Sequence, residues 1–266
     1  MRTIALVIEY DGTAYVGWQS QQNGPSIQET LCRALEQRTG APASLTGAGR
    51  TDAGVHALGQ VATFGTAQGA PLTAFREGLN VLLPADIRVV EAREAREGFH
   101  PIRCAESKIY LYRLLLRGVG SALEHHRAWK LPKEPDVGAM REAAKAFIGT
   151  HDYTSFCAAD AEPNRTKTLT RIDIIEHAGL TAPELHIEVE GSGFLKQMVR
   201  TITGSLVDVG RGKRPPGWIA ETLKARDRRL AGLTAPAWGL YLKQVGYAPD
   251  WFTGSTGQFP VTEEEP

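Results

Sequence analysis

Twice along this chain the apolar residues change their period in the same order, and that order narrows the fold more than any single motif does. In the first half, Ile4–Tyr10 is apolar on both faces and reads as a buried strand. Ser26 and Glu29 make a capping box, Ile27, Leu31, Ala34 and Leu35 mark one helical face, and Gly40 ends that helix. Strands near Ser44–Gly49 and Gln60–Phe64 come next. A helix phased by Leu72, Phe75, Leu79 and Leu82 stops at Pro84, and a strand covers Ile87–Glu91. The second half begins with a strand over Lys108–Leu116 and a helix over Val137–Ile148 closed by Gly149. Strands over Arg171–Glu176 and Leu185–Glu190 lead to a helix over Phe194–Val209, striped by Phe194, Leu195, Met198, Val199, Ile202 and Leu206. Pro215 and Pro216 open a short helix, and Trp238–Tyr247 returns as a strand. Two βαββαβ-like halves predict an α+β fold of duplicated ferredoxin-like (RRM-like) units, one over 1–104 and one over 105–247. An acidic, mobile tail is expected over 248–266.

The composition fits such a fold: 266 residues, 42% of them hydrophobic, can bury a real core. No apolar run approaches about 18 residues, so no membrane-spanning segment is expected. Glu9 and Asp11 come too early for a secretory leader, and Cys32, Cys104 and Cys157 are odd in number and far apart. That pattern argues against disulfides and a zinc site, and for a reducing cytoplasm. The net charge of zero hides an uneven distribution. Asp250, Glu263, Glu264 and Glu265 sit in the last nineteen residues, where no base accompanies them. Between Lys196 and Arg229 there are nine Lys or Arg against three acids. Such a segment is either a solvated face or the electrostatic footprint of a polyanion site.

The stretch GAGRTDAGVHALGQ, Gly47 to Gln60, lies between two predicted strands. It is no phosphate loop of the usual kinds. Val55 and His56 follow Gly54 where a P-loop needs Lys and Ser or Thr, and Asp52 stands where a dinucleotide fingerprint needs glycine. The glycines let the backbone approach a ligand closely. Within the loop, Arg50 and Asp52 form either a surface ion pair worth little, or a cation beside a carboxylate kept ionised as a nucleophile. His56 reads as a hydrogen-bonding residue of the loop rather than an acid or base. Along SKIYLYRLLL, Lys108, Tyr110 and Tyr112 share one strand face, where the tyrosines serve either as core or as platforms for an extruded base. Lys196 and Arg200, four apart and off the apolar stripe, offer cations to a phosphate or to Asp52 if their face meets a cleft.

These blocks together resemble the tRNA pseudouridine synthases of the TruA type. The resemblance runs through YDGTAYVGWQSQ, GAGRTDAGVHA, GFHPIRCAESKIYLYR, HDYTSF, GFLKQMVRTITGSLVDVGRG and AGLTAPAWGLYL, in the family's order, from Ile4 to Tyr247. It implies the pseudouridine synthase fold, with a central, mostly antiparallel sheet and a cleft between the halves. It implies isomerisation of uridine to pseudouridine at positions 38, 39 and 40 of the tRNA anticodon stem-loop. A homodimer, no cofactor and no metal are implied as well. By the same resemblance Asp52 is the nucleophile, Arg200 pairs with it, and Tyr110 stacks on the uracil and is a candidate for moving a proton. Arg50, Leu240, Lys196 and His56 join Tyr110 as substrate-binding residues. Two positions depart from the family pattern, Ile102 and Lys167, where arginine is usual; both bear on RNA contacts and not on the catalytic set. A tRNA binder without catalysis would have no need of a carboxylate facing phosphates, and a glycosidase would want a second catalytic carboxylate, for which Asp52 has no apparent partner.

Overall fold

The computed structural model describes residues 1–253, and the chain divides into two compact units. The first holds Met1–Lys108 and the residues from Tyr241 on; the second is Ile109–Leu240. Sequence order groups the last strand with the second half, yet nearly all of that strand belongs to the first unit.

In the first unit, β1 (Arg2–Tyr10) lies between β3 (His56–Thr66) and β4 (Ile87–Ala95), antiparallel to both. β2 is reduced to Thr46–Gly47 on the edge of β3. At the other end of β3, His56 and Ala57 pair in parallel with Tyr241 and Leu242 of β10 (Leu240–Tyr247). The run Ile4–Ile8 is buried throughout, as a strand apolar on both faces must be. Helix α1 (Ile27–Thr39) starts where Ser26 Oγ accepts from the Glu29 N–H at 3.2 Å and stops at Gly40, whose φ of +71° closes it. Helix α2 (Leu72–Leu82) buries Phe75 and Leu79; Leu83 turns extended ahead of Pro84.

The first residues of the segment expected to be a mobile tail, 248–253, are structured. Pro249–Trp251 make one tight helical turn, Phe252 is buried beside Phe99 and Tyr247, and the Thr253 N–H donates to Glu94 O. Residues 254–266, with Glu263, Glu264 and Glu265, lie outside the described residues.

The second unit carries β5 (Ala105–Leu116, begun in the first unit), β6 (Trp129–Leu131), β7 (Gly149–Asp152), β8 (Thr166–His177) and β9 (Glu184–Gly191), in the order β5-β9-β8-β7 with β6 parallel to β5. β7–β8 and β8–β9 are antiparallel. Three helices complete it: α3 (Val137–Ala144), α4 (Met198–Gly210) and α5 (Trp218–Ala225). Helix α3 is shorter than its sequence pattern because Lys145–Phe147 tighten into a different turn. Helix α4 begins at Met198 and not at Phe194: Gln197 takes a left-handed φ of 61°, and the Lys196 carbonyl accepts from Ala158 N–H. The apolar stripe survives from Met198 through Leu206, all of it buried. Segment 231–235 runs so close to α4 that a Cβ on Gly204 would stand 1.9 Å from Leu233 O.

One buried ionic cluster ties β5 to β9. Arg113 reaches Glu184 Oε1 at 2.7 Å and Oε2 at 2.9 Å, and Glu124 Oε2 at 3.0 Å, while His186 Nε2 lies 2.9 Å from Glu184 Oε2. Burial pushes the Glu184 carboxyl up, but hydrogen bonds from His186 and Arg113 outweigh it and hold the group down at about 2. The molecule is mixed α+β with a mostly antiparallel sheet.

Candidate active site

The glycine-rich loop between β2 and β3 is a braced structure rather than a pliable one. Asp52–Val55 is a β-turn: the Val55 N–H donates to Asp52 O at 3.2 Å, and Gly54 takes the positive φ of +75° that a type II turn needs at that place. Its approaches are fastened on each side. Ala48 N–H donates to Val61 O, and Lys108 Nζ donates to Ala48 O at 2.8 Å. Gln60 Nε2 donates to Gly49 O at 2.9 Å, and the Tyr10 and Thr51 hydroxyls are 2.8 Å apart. Trp18 N–H donates to Thr51 O, and Gly54 N–H to Tyr15 O.

The segment Tyr10–Trp18 explains its own glycines by the closeness of this loop. A Cβ on Gly12 would lie 2.0 Å from Val55 O, and one on Gly17 would lie 2.6 Å from Thr51 O. Ala48 and Val55 are buried, Asp52 is partly exposed, and Arg50 and Ala53 point outward. The loop thus presents its acid and its base from a frame that is tied down elsewhere.

His56 lies beneath this frame. It is 2% exposed, its Nδ1 accepts from Gly12 N–H at 3.1 Å and lies 3.2 Å from Asp11 Oδ1, and its ring stacks on Tyr241 at 4.6 Å. His56 thus takes part in the hydrogen bonds that hold Asp11 and Gly12 beside the loop.

In the second unit, Tyr110 is 8% exposed and meets Phe194 edge-on at 4.9 Å. Tyr112, two residues along the same face of β5, is wholly buried, and its hydroxyl donates to Pro236 O at 2.8 Å. Burial pushes the Tyr112 phenol well above its usual value, against the opposing charge of Arg200. Arg200 lies on the first turn of α4 and donates from Nε to Ala235 O at 2.8 Å, while Ala235 N–H returns a bond to Arg200 O. Its guanidinium is therefore oriented by the AGLTAPAW segment, and Leu240, two residues beyond it, is buried. Lys196 does not share a helix face with Arg200: it stands in the turn before α4, pairing with Asp160 at 2.6 Å. Lys167 pairs with Glu162 at 2.5 Å, and Ile102 is exposed.

Sequence reading overlooked Tyr10, Gln60 and Lys108 as supports of the loop. The available signal was a fully buried glutamine inside an apolar strand, since such a group must find a partner. Among the described residues, no group of three His, Cys, Asp or Glu side chains could hold a metal ion, the three cysteines are free, and no helix is long and apolar enough to cross a membrane.

A braced glycine-rich loop that carries an arginine and an aspartate, on a mixed α+β fold, defines a class that comparison with known proteins makes specific. The family model described as tRNA pseudouridine synthase matches residues 6–101 and 143–248, stretches that contain Arg50, Asp52, His56, Lys196, Arg200 and Leu240; Tyr110 falls between them. The chain belongs to the tRNA pseudouridine synthase family, whose members are isomerases that convert uridine to pseudouridine in tRNA. It is 50% identical over 249 residues to a protein of a Geobacter species named tRNA pseudouridine synthase A, covering 93% of this chain and 99% of that one. Proteins of the same name from Citrifermentans bemidjiense and Myxococcus xanthus are 48% and 46% identical, each over 93% of this chain and over 98% and 92% of their own.

Proposed function

We propose that this enzyme isomerises uridine at positions 38, 39 and 40 of the tRNA anticodon stem-loop, with Asp52 as nucleophile and without a cofactor. The observation that carries the reading is the braced loop: hydrogen bonds to Gly49, Thr51, Gly54 and the Asp52 carbonyl hold its backbone, and Asp52 itself is partly exposed. The chemistry asks for that arrangement. The N1–C1′ bond breaks, the uracil turns, and a C5–C1′ bond forms; C5 loses a proton and N1 gains one. No electrons are transferred and no group is imported.

The target base must leave its stack, which costs a few kcal/mol. Stacking on Tyr110, worth about 1–3 kcal/mol, offsets much of that cost. Arg200 serves as the cation that pairs with Asp52, and Arg50 as a phosphate contact. Leu240 packs near the base, and Lys196 adds a cation towards the phosphates. Tyr110 is a poor base at the usual phenol pKa of ~10, so its first role is stacking. We place the work in the cytoplasm, where free thiols such as Cys32, Cys104 and Cys157 persist.

The experiment that tests this reading uses three tRNA transcripts, each with a single uridine at position 38, 39 or 40. Pseudouridine is expected in all three and not in a transcript with cytidine at those positions. Product elsewhere in the tRNA, with none at these positions, would sink the assignment. Binding is expected to be strongly electrostatic, because the segment from Lys196 to Arg229 is basic. Affinity for tRNA should fall roughly a hundredfold between about 50 and 200 mM salt, as neutralising some four phosphates requires. A flat response contradicts a phosphate-contacting role for that segment. Sedimentation of the same samples should give a mass of two chains, the homodimer we propose; a single-chain mass removes it.

A further inference from the structure

We infer that Tyr10 and Gln60 are positioning residues for the reaction, a two-armed clamp that sets the geometry of Asp52 through the residues flanking it. Both side chains are buried, Tyr10 at 3% and Gln60 at 0% exposure, and they come from different strands, β1 and β3. Gln60 is wholly buried in a strand that also buries Val61, Ala62 and Phe64. Its Nε2 donates to Gly49 O at 2.9 Å, and its Oε1 accepts from Val61 N–H. The same phenol meets Thr51 Oγ1 at 2.8 Å. One arm therefore holds the residue before Arg50 and the other the residue after it.

The consequence falls on the next position. Thr51 is fixed twice, by Tyr10 at its hydroxyl and by Trp18 N–H at its carbonyl. The peptide plane leading into Asp52 is thereby pinned, and the plane leaving it is pinned by the turn bond to Val55. Buried polar groups that are fully satisfied specify one arrangement more than they add stability. Neither group needs to touch RNA: each acts through the loop backbone, and a misplacement near 1 Å is enough to cost a reaction about a hundredfold.

The inference rests on Asp52 being the reacting carboxylate. Tyr10→Phe deletes one buried oxygen and keeps the ring. Under single turnover, with tRNA saturating and well below the melting temperature, the rate should fall about 10- to 100-fold while the Kd for tRNA stays within about twofold. Thr51→Val should lose a similar factor, Tyr10→Phe/Thr51→Val should be little worse than either single variant, and Thr51→Ser should recover most of the rate. A rate for Tyr10→Phe within twofold of native, or a loss seen in Kd instead, overturns the inference. Should Tyr10→Phe fail to fold, Gln60→Met carries the same readouts for the other arm. Asp52→Asn separates the two ideas: if it retains activity the reading of Asp52 has failed, and if it is inactive while Tyr10→Phe is unimpaired only the clamp has failed.

Discussion

Asp52→Asn should lower the single-turnover rate by at least about a thousandfold, equivalent to about 4 kcal/mol of transition-state stabilisation, with tRNA affinity changed by less than about twofold. The substitution is nearly isosteric and removes the charge. The loop backbone is held by anchors at Ala48, Gly49, Thr51, Gly54 and the Asp52 carbonyl, all of which the substitution leaves in place. A variant that binds tRNA and does nothing to it isolates the chemistry from recognition. If Asp52→Asn turns over at a tenth of the native rate or faster, the carboxylate is not the nucleophile. Loss of binding along with the rate would make its role one of recognition.

Glu184→Ala should destabilise the protein by about 3–5 kcal/mol, because it leaves Arg113 and His186 without their shared carboxylate inside the second unit. Glu184 is 1% exposed, and its loss removes both hydrogen bonds that it accepts from Arg113. We expect the lower end of that range, since the Arg113 side chain is 21% exposed. In a calorimeter this appears as a fall in Tm of roughly 6–12 °C. The cluster also fixes a pH dependence. The folded-state value of Glu184 is depressed to about 2 from the ordinary 4.5. Its contribution is therefore fully present above about pH 4.5 and is lost as pH falls towards 2. Native protein should lose stability across that window more steeply than Glu184→Gln. Parallel acid profiles would show that the cluster contributes nothing to stability.

The parts of the fold that are legible in sequence are those whose cause is local. Ser26, the stripe from Ile27 to Leu35 and Gly40 specify α1 within fifteen residues, and the helix starts and stops where they say. Ile4–Tyr10 announces a buried strand by being apolar at every step but Glu9. The start of α4 was not legible. Phe194 and Leu195 continue its stripe, and only a tertiary bond from Ala158 to Lys196 O, with the left-handed turn at Gln197, removes them from the helix. β6 and β7 have three and four residues, too few for a period to emerge. The allegiance of β10 rests on pairing with β3, nearly two hundred residues earlier.

The site divides in the same way. Asp52, Arg50 and Gly54 could be picked out because acid, base and glycine in one loop are a chemical statement. Tyr10 and Thr51 are separated by forty-one positions and Lys108 and Ala48 by sixty, so nothing local links them. His56 shows the opposite hazard: it sits in the loop's sequence but under the loop in space.

The most direct test of the central claim is tritium release by native enzyme from tRNA labelled at uracil C5 only at positions 38, 39 and 40. Forming the C5–C1′ bond expels the C5 hydrogen, so we predict one tritium released to water for each pseudouridine formed. tRNA that is bound, recovered intact and still fully labelled would contradict the account.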